Sequence, residues 1–213
     1  GVAKIPMATA GEDIPISMKI QTNGKIVIGG FSFNTITQKS SIAMLRIDSN
    51  GTPDNTFGSS GKIVSGLNTG GDMIYSIDIQ PDGKILATGQ SERSTTDILL
   101  LRFTAAGAPD NTFGTNGVVY SGFGIHSDYG VCVRIQPNGK ILVAGNTDSI
   151  GSDFVLLRFT SAGTPDATFG TGGKVVTDIS NNDVASTLII QPDGKIIVAG
   201  MVNSNDFGLV RYK

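Results

Sequence analysis

The sequence predicts an all-β protein, a single β-propeller of four four-stranded blades closed into a ring by its N-terminal strand. Three observations carry that expectation. Three separate motifs recur with one shared period of 53 to 59 residues. Each copy alternates apolar and polar residues between turn-forming pairs. A spare segment at one end of the chain matches a strand missing at the other.

The first motif is Ile20-Gln21 followed by Asn23-Gly24-Lys25. It returns with Lys84, Lys140 and Lys195. The second, Pro-Asp-x-Thr-Phe-Gly, carries Phe57, Phe113 and Phe169, and the third is an arginine closing an apolar run: Arg46, Arg102, Arg158 and Arg211. Within a copy, Ile77 and Ile79 alternate with Ser76 and Asp78, the period of a strand. The Asn-Gly or Asp-Gly pair that follows predicts a hairpin with a type I′ turn. A second strand reads as Lys140 to Gly145, a third as Phe154 to Phe159, and a short fourth as Lys174 to Thr177. No stretch of helical length has a 3.6-residue apolar period. The repeats fall at about 11–66, 67–122, 123–178 and 179–213 plus 1–10, in one domain spanning 1–213.

Closure is read from the ends. Residues 2–8 stand where the other copies have a fourth strand, and Lys213 follows directly on the third strand of the last copy. Pairing the two completes every blade and hides two sheet edges that would otherwise invite association. An open solenoid would need atypical end repeats, and the end copies here are ordinary. A larger ring built from two chains or from a longer parent protein stays open at this point.

Composition narrows the function. A net charge of -2 gives no footprint for nucleic acid, and the apolar runs are far shorter than the roughly 20 residues of a spanning helix. Cys132 is the sole cysteine and reads as a small core residue. The chain starts at Gly1 without a charged-then-apolar leader, so it reads as a mature or excised piece.

Residues 190–200 read Ile-Gln-Pro-Asp-Gly-Lys-Ile-Ile-Val-Ala-Gly. Residues 156–173 contain Leu-Leu-Arg-Phe, a Gly, and then Pro-Asp-Ala-Thr-Phe-Gly-Thr-Gly-Gly. Together they resemble the delta-60 repeat family of bacterial proteins, over nearly the whole chain. The resemblance implies a propeller-like fold in large secreted or cell-surface bacterial proteins, and it brings no catalytic residues. The first copy departs most: Thr22 replaces Pro, and Gly30-Phe31-Ser32-Phe33 opens a longer loop.

Residues present in every copy serve folding first. Phe57, Phe113 and Phe169 read as core plugs, and the aspartates Asp54, Asp110 and Asp166 as turn holders that pair with the arginines. Asp13, Asp72, Asp128 and Asp183 each precede the innermost strand of a blade. In a closed ring they would converge on one channel mouth, where a Ca²⁺ or Na⁺ ion is the candidate occupant. The plainer and preferred reading has each one capping its own loop. No other cofactor is expected.

The variable loops, at about 31–41, 66–72, 90–97, 122–128, 146–153 and 201–206, carry Phe31, Phe33, Arg93, Phe123 and His126, with Tyr129 close behind. These six are the candidate ligand contacts, for a protein or a glycan. Catalysis is not expected: His126 is the only histidine, and neither His-Glu-x-x-His nor Gly-x-Ser-x-Gly occurs. The sequence therefore reads as a non-catalytic secreted or surface binding module. A structural spacer is the alternative, and a carbohydrate-active enzyme built on the Asp set ranks behind both. Expected states are a monomer, a face-to-face dimer or a ring-forming homodimer.

Overall fold

The computed structural model describes residues 2–7, 11–67, 70–148 and 151–213. The first sheet is β1 (Glu12–Ile20), β2 (Ile26–Asn34), β3 (Lys39–Ile47) and β4 (Lys62–Ser65), antiparallel and paired in chain order. The second repeats this with β5 (Asp72–Ile79), β6 (Ile85–Glu92), β7 (Thr96–Phe103) and β8 (Val118–Ser121). The third is β9 (Asp128–Ile135), β10 (Ile141–Thr147), β11 (Asp153–Phe159) and β12 (Lys174–Thr177). The fourth has three strands among the described residues: β13 (Val184–Ile190), β14 (Ile196–Val202) and β15 (Asp206–Tyr212).

The turn between the first two strands of each blade differs from the expected type I′. Only its glycine has positive φ, between 80° and 82° at Gly24, Gly83, Gly139 and Gly194. The Gly83 amide donates to Gln80 O at 2.9 Å and the Gln80 amide to Lys84 O at 2.8 Å. This is a type I turn followed by a left-handed glycine. The reason stands in the sequence: Pro81, Pro137 and Pro192 sit at the second turn position. Proline fixes φ near -65° there, and a type I′ turn needs it positive.

Packing runs from each blade to the next. The inner strand of a blade lies across the first three strands of the preceding one: β5 on β1, β2 and β3, β9 on β5, β6 and β7, and β13 on β9, β10 and β11. Side chains alternate along a strand, so Ile42 and Met44 of β3 look forward while Leu99 and Leu101 of β7 look back, and they meet in one apolar cluster with Ile74, Ile77 and Phe57. Two further clusters repeat this at the second and third joints.

The ring does not close. Residues 2–7 lie against the first sheet, where the Met7 amide donates to Asp13 Oδ2 at 2.8 Å and Lys62 Nζ donates to Pro6 O at 2.7 Å. Among the described residues the last sheet has three strands, with none beside β15 on its outer side. At each joint one inner-strand side chain, Ile77, Val133 or Leu188, is fully buried in the apolar cluster between neighbouring sheets. The well-packed strand pairs all lie within a sheet or between consecutive sheets, and none joins the first sheet to the last as closure by residues 2–8 requires.

Candidate functional site

Antiparallel order places two kinds of connection at opposite ends of every blade. One end holds the glycine turns and the Pro-Asp-x-Thr-Phe-Gly segments, and the chemistry there is internal. Arg102 Nε donates to Asp110 Oδ2 at 2.7 Å, Nη2 to Thr112 Oγ1 at 3.0 Å and Nη1 to Ser161 O in the next blade. Its guanidinium lies 4.5 Å from the centre of the buried Phe113 ring. Lys84 adds an ion pair to Asp110 at 3.1 Å. The first blade repeats the clamp with Arg46, Asp54, Phe57 and Lys25, and the third with Arg158, Asp166, Phe169 and Lys140. Lys25, Lys140 and the Thr hydroxyls hold the Asp54 and Asp166 carboxyls well below the usual carboxylate range. Asp110 is likewise held low: burial opposes ionisation, and bonds from Thr112 and Lys84 with the charge of Arg102 overcome it. The clamp stitches the first blade to the second and the second to the third, and it engages all three arginines.

The opposite end carries the variable connections. They are shorter than the sequence suggests, because the strands extend into them. Phe31 and Phe33 belong to β2, opposite Ile14 and Ile42 for Phe31 and Glu12 and Ser40 for Phe33. The connection shrinks to residues 35–38, and that after β6 to 93–95. Alternating polar residues such as Ser32 and Asn34 hid the strand, since they resemble a loop until paired. Part of the 66–72 and 146–153 loops lies outside the described residues.

Asp13, Asp72, Asp128 and Asp183 stand at this end. Each carboxylate accepts from the loop before its own strand: Met7 N at 2.8 Å, Leu67 N at 2.7 Å, Phe123 N at 2.7 Å and Ile179 N at 2.6 Å. Each serves its own blade, and the four do not form a close carboxylate group among the described residues. Burial raises the Asp128 carboxyl. Asp183 sits below its ordinary value, since bonds from Ser180 and nearby amides outweigh the cost of burial. Among the described residues, three carboxylates do come within 4.8 Å of one another, but they are Asp153, Asp178 and Asp183. Burial, then Asp178 and Asp183, push the Asp153 carboxyl up.

At the joint of the second and third blades the structure unites two of the six expected ligand residues. Arg93 pairs with Asp97 at 3.3 Å and stacks 4.3 Å from the Tyr120 ring centre. Lys174 Nζ donates to Gly122 O and lies 4.7 Å from the Phe123 ring centre. A Cβ at Gly122 would meet Asp97 Oδ1 at 2.5 Å and Asp128 Oδ2 at 3.1 Å, so a side chain has no room there. His126 sits half-buried in the same connection and Tyr129 on β9, while Phe31 and Phe33 belong to the first sheet. Reading the aromatics alone missed the two most exposed apolar loop tips, Ile36 at 80% and Ile125 at 85%. Their signal was an isoleucine inside an otherwise polar turn.

The model of a domain of unknown function described as the DUF5122 beta-propeller matches residues 21–57, 80–113, 136–169 and 191–213. No curated protein matches the chain. Among solved structures it is similar to an unknown-function protein from Dyadobacter fermentans (12% identity, TM-score 0.50), covering 92% of this chain and 58% of that one. It is similar also to hydrazine synthase from Kuenenia stuttgartiensis (12%, TM-score 0.51), covering 91% and 27%. A catalytically inactive virginiamycin B lyase from Staphylococcus aureus, solved with quinupristin, matches at 16% identity and TM-score 0.49, covering 92% and 54%. The chain thus spans between about a quarter and three fifths of these structures' lengths.

Proposed function

The chain belongs to the DUF5122 beta-propeller family, and from that premise we propose that it is a non-catalytic binding module of a secreted or cell-surface bacterial protein. Its contacts to a protein or glycan run through the variable connections of one end. The resemblance of the repeat to the delta-60 family supports the setting. The observation that carries the binding role is the contrast between the two ends. Side chains repeated in the first three blades are consumed by the clamp, whereas the connections expose Arg93, Ile36 and Ile125. Apolar tips held on a rigid frame lose little entropy on binding.

The test is a glycan array and a pull-down with the parent chain, followed by titration of any hit. Arg93→Ala and Ile125→Ser, both at exposed positions, should each weaken a saturable partner at least tenfold. No saturable partner would favour the spacer role instead. Turnover of chromogenic glycosides that disappears in Asp128→Asn would overturn the non-catalytic part.

A further inference from the structure

Every blade joint inside the chain uses the same positions, so the two end faces can be compared with their buried counterparts. The inner-strand position filled by Ile77, Val133 and Leu188 is fully buried, but in the first blade it is Met18, 63% exposed. The forward-facing positions Ile42, Ile98 and Phe154 are at most 1% exposed, yet their counterpart Phe207 is 96% exposed. Met44, Leu100 and Leu156 are matched in the same way by Leu209 at 68%. The first face thus matches the receiving half of an internal joint, and the last face matches the inserting half.

The strands tell the same story. Among the described residues the last sheet holds three strands, where the other three sheets hold four. Residues 2–7 hold the place of a preceding blade's fourth strand: Met7 bonds Asp13 as Leu67 bonds Asp72 and Phe123 bonds Asp128. Between this segment and the first sheet lies an apolar cavity of about 350 Å³, lined by Ile5, Ile14, Gly30 and Leu45 among others. At the third joint Phe154 fits against Gly200, where a Cβ would lie 2.9 Å from its ring. Phe207 and Gly30 occupy those same two positions at the open faces.

We propose that the occupant of both faces is a second copy of this chain. Each copy's β15 face seats on the partner's β1 face, Phe207 enters the cavity beside Gly30 of the partner, and residues 2–7 supply the fourth strand to the partner's last sheet. The contact continues the interface already built three times within the chain. It is head-to-tail, and two such contacts close a ring of eight blades, within the range that propellers adopt.

Light scattering on the 213-residue chain should give twice 22.1 kDa. Phe207→Lys with Leu209→Lys, both exposed in the single chain, should return it to one copy by weakening association at least a hundredfold. Register is read by crosslinking. At the third joint Cys132 Sγ lies 4.0 Å from Thr187 Oγ1, and the counterpart pair across the new joint is Thr187 and Ser17 of the partner subunit. Thr187→Cys with Ser17→Cys, in a Cys132→Ser background, should form a covalent dimer under mild oxidation. Serine already occupies the Cys132 position in two blades, where Ser76 Oγ accepts from Val133 N and Ser17 Oγ from Ile77 N. A single-copy mass at 100 µM without crosslinking overturns the proposal, as do masses that grow with concentration into open polymers. A longer polypeptide whose own further blades block the crosslink overturns it too. Loss of glycan or protein binding leaves this result unaffected, since the loop contacts lie at the blade ends.

Discussion

Replacing Asp110 by asparagine keeps the shape of the clamp and removes its charge. Asp110 and Arg102 are each about 5% exposed and meet at 2.7 Å, with Lys84 at 3.1 Å. Removing one partner of a buried ion pair costs about 3–5 kcal/mol. Lys84 is about a third exposed, so water screens part of the charge left behind. The lower end, about 3 kcal/mol, is therefore expected. For a chain of this size that lowers Tm by roughly 6–12 °C. The pH dependence supplies a second readout. Asp110 titrates well below its ordinary value, so its contribution is complete above the unfolded carboxylate value of about 3.9 and fades as pH falls through the folded value. Urea unfolding at pH 7 and again at pH 2 should show the Asp110→Asn penalty shrinking on acidification. A penalty under about 1 kcal/mol at pH 7, or one of constant size down to pH 2, would refute the reasoning.

Two glycines with positive φ separate backbone strain from crowding. At Gly114 (φ 52°) a Cβ would collide with Val118 O, so Gly114→Ala should cost about 2–3 kcal/mol in denaturant unfolding. At Gly139 (φ 80°) the space is open, and Gly139→Ala should cost only about 1 kcal/mol; equal costs would contradict the geometry. The Tyr75 hydroxyl donates to Gln90 Oε1 at 2.6 Å, and burial, with Tyr129 and Glu92 nearby, pushes its ionisation up to about 12. Ultraviolet titration should show a phenol ionising at about pH 12 that vanishes in Tyr75→Phe. Because the folded value is raised, the stability tied to neutral Tyr75 should persist below pH 10 and disappear as pH climbs through 12.

The blade pattern was legible because each blade repeats local rules. Alternation set the strands, Pro-Asp-Gly set the turns, and Arg-Asp-Phe recurrence announced the clamp that pairs Arg102 with Asp110. The type I turn could also have been read, from Pro81 alone. Phe31 and Phe33 were harder, since a polar strand end is told from a loop only by its hydrogen-bonded neighbours Ser40 and Ile42.

What the sequence determined by itself was therefore everything that depends on neighbours within one period: the all-β class, the strand order inside a blade, and the residues spent on holding it. What only the tertiary structure decided was how far the blades turn, and so that residues 2–7 lie on the first sheet while Phe207 faces solvent. The reason is that the meeting of first and last sheets depends on the geometry summed over three joints, and no local motif records that sum.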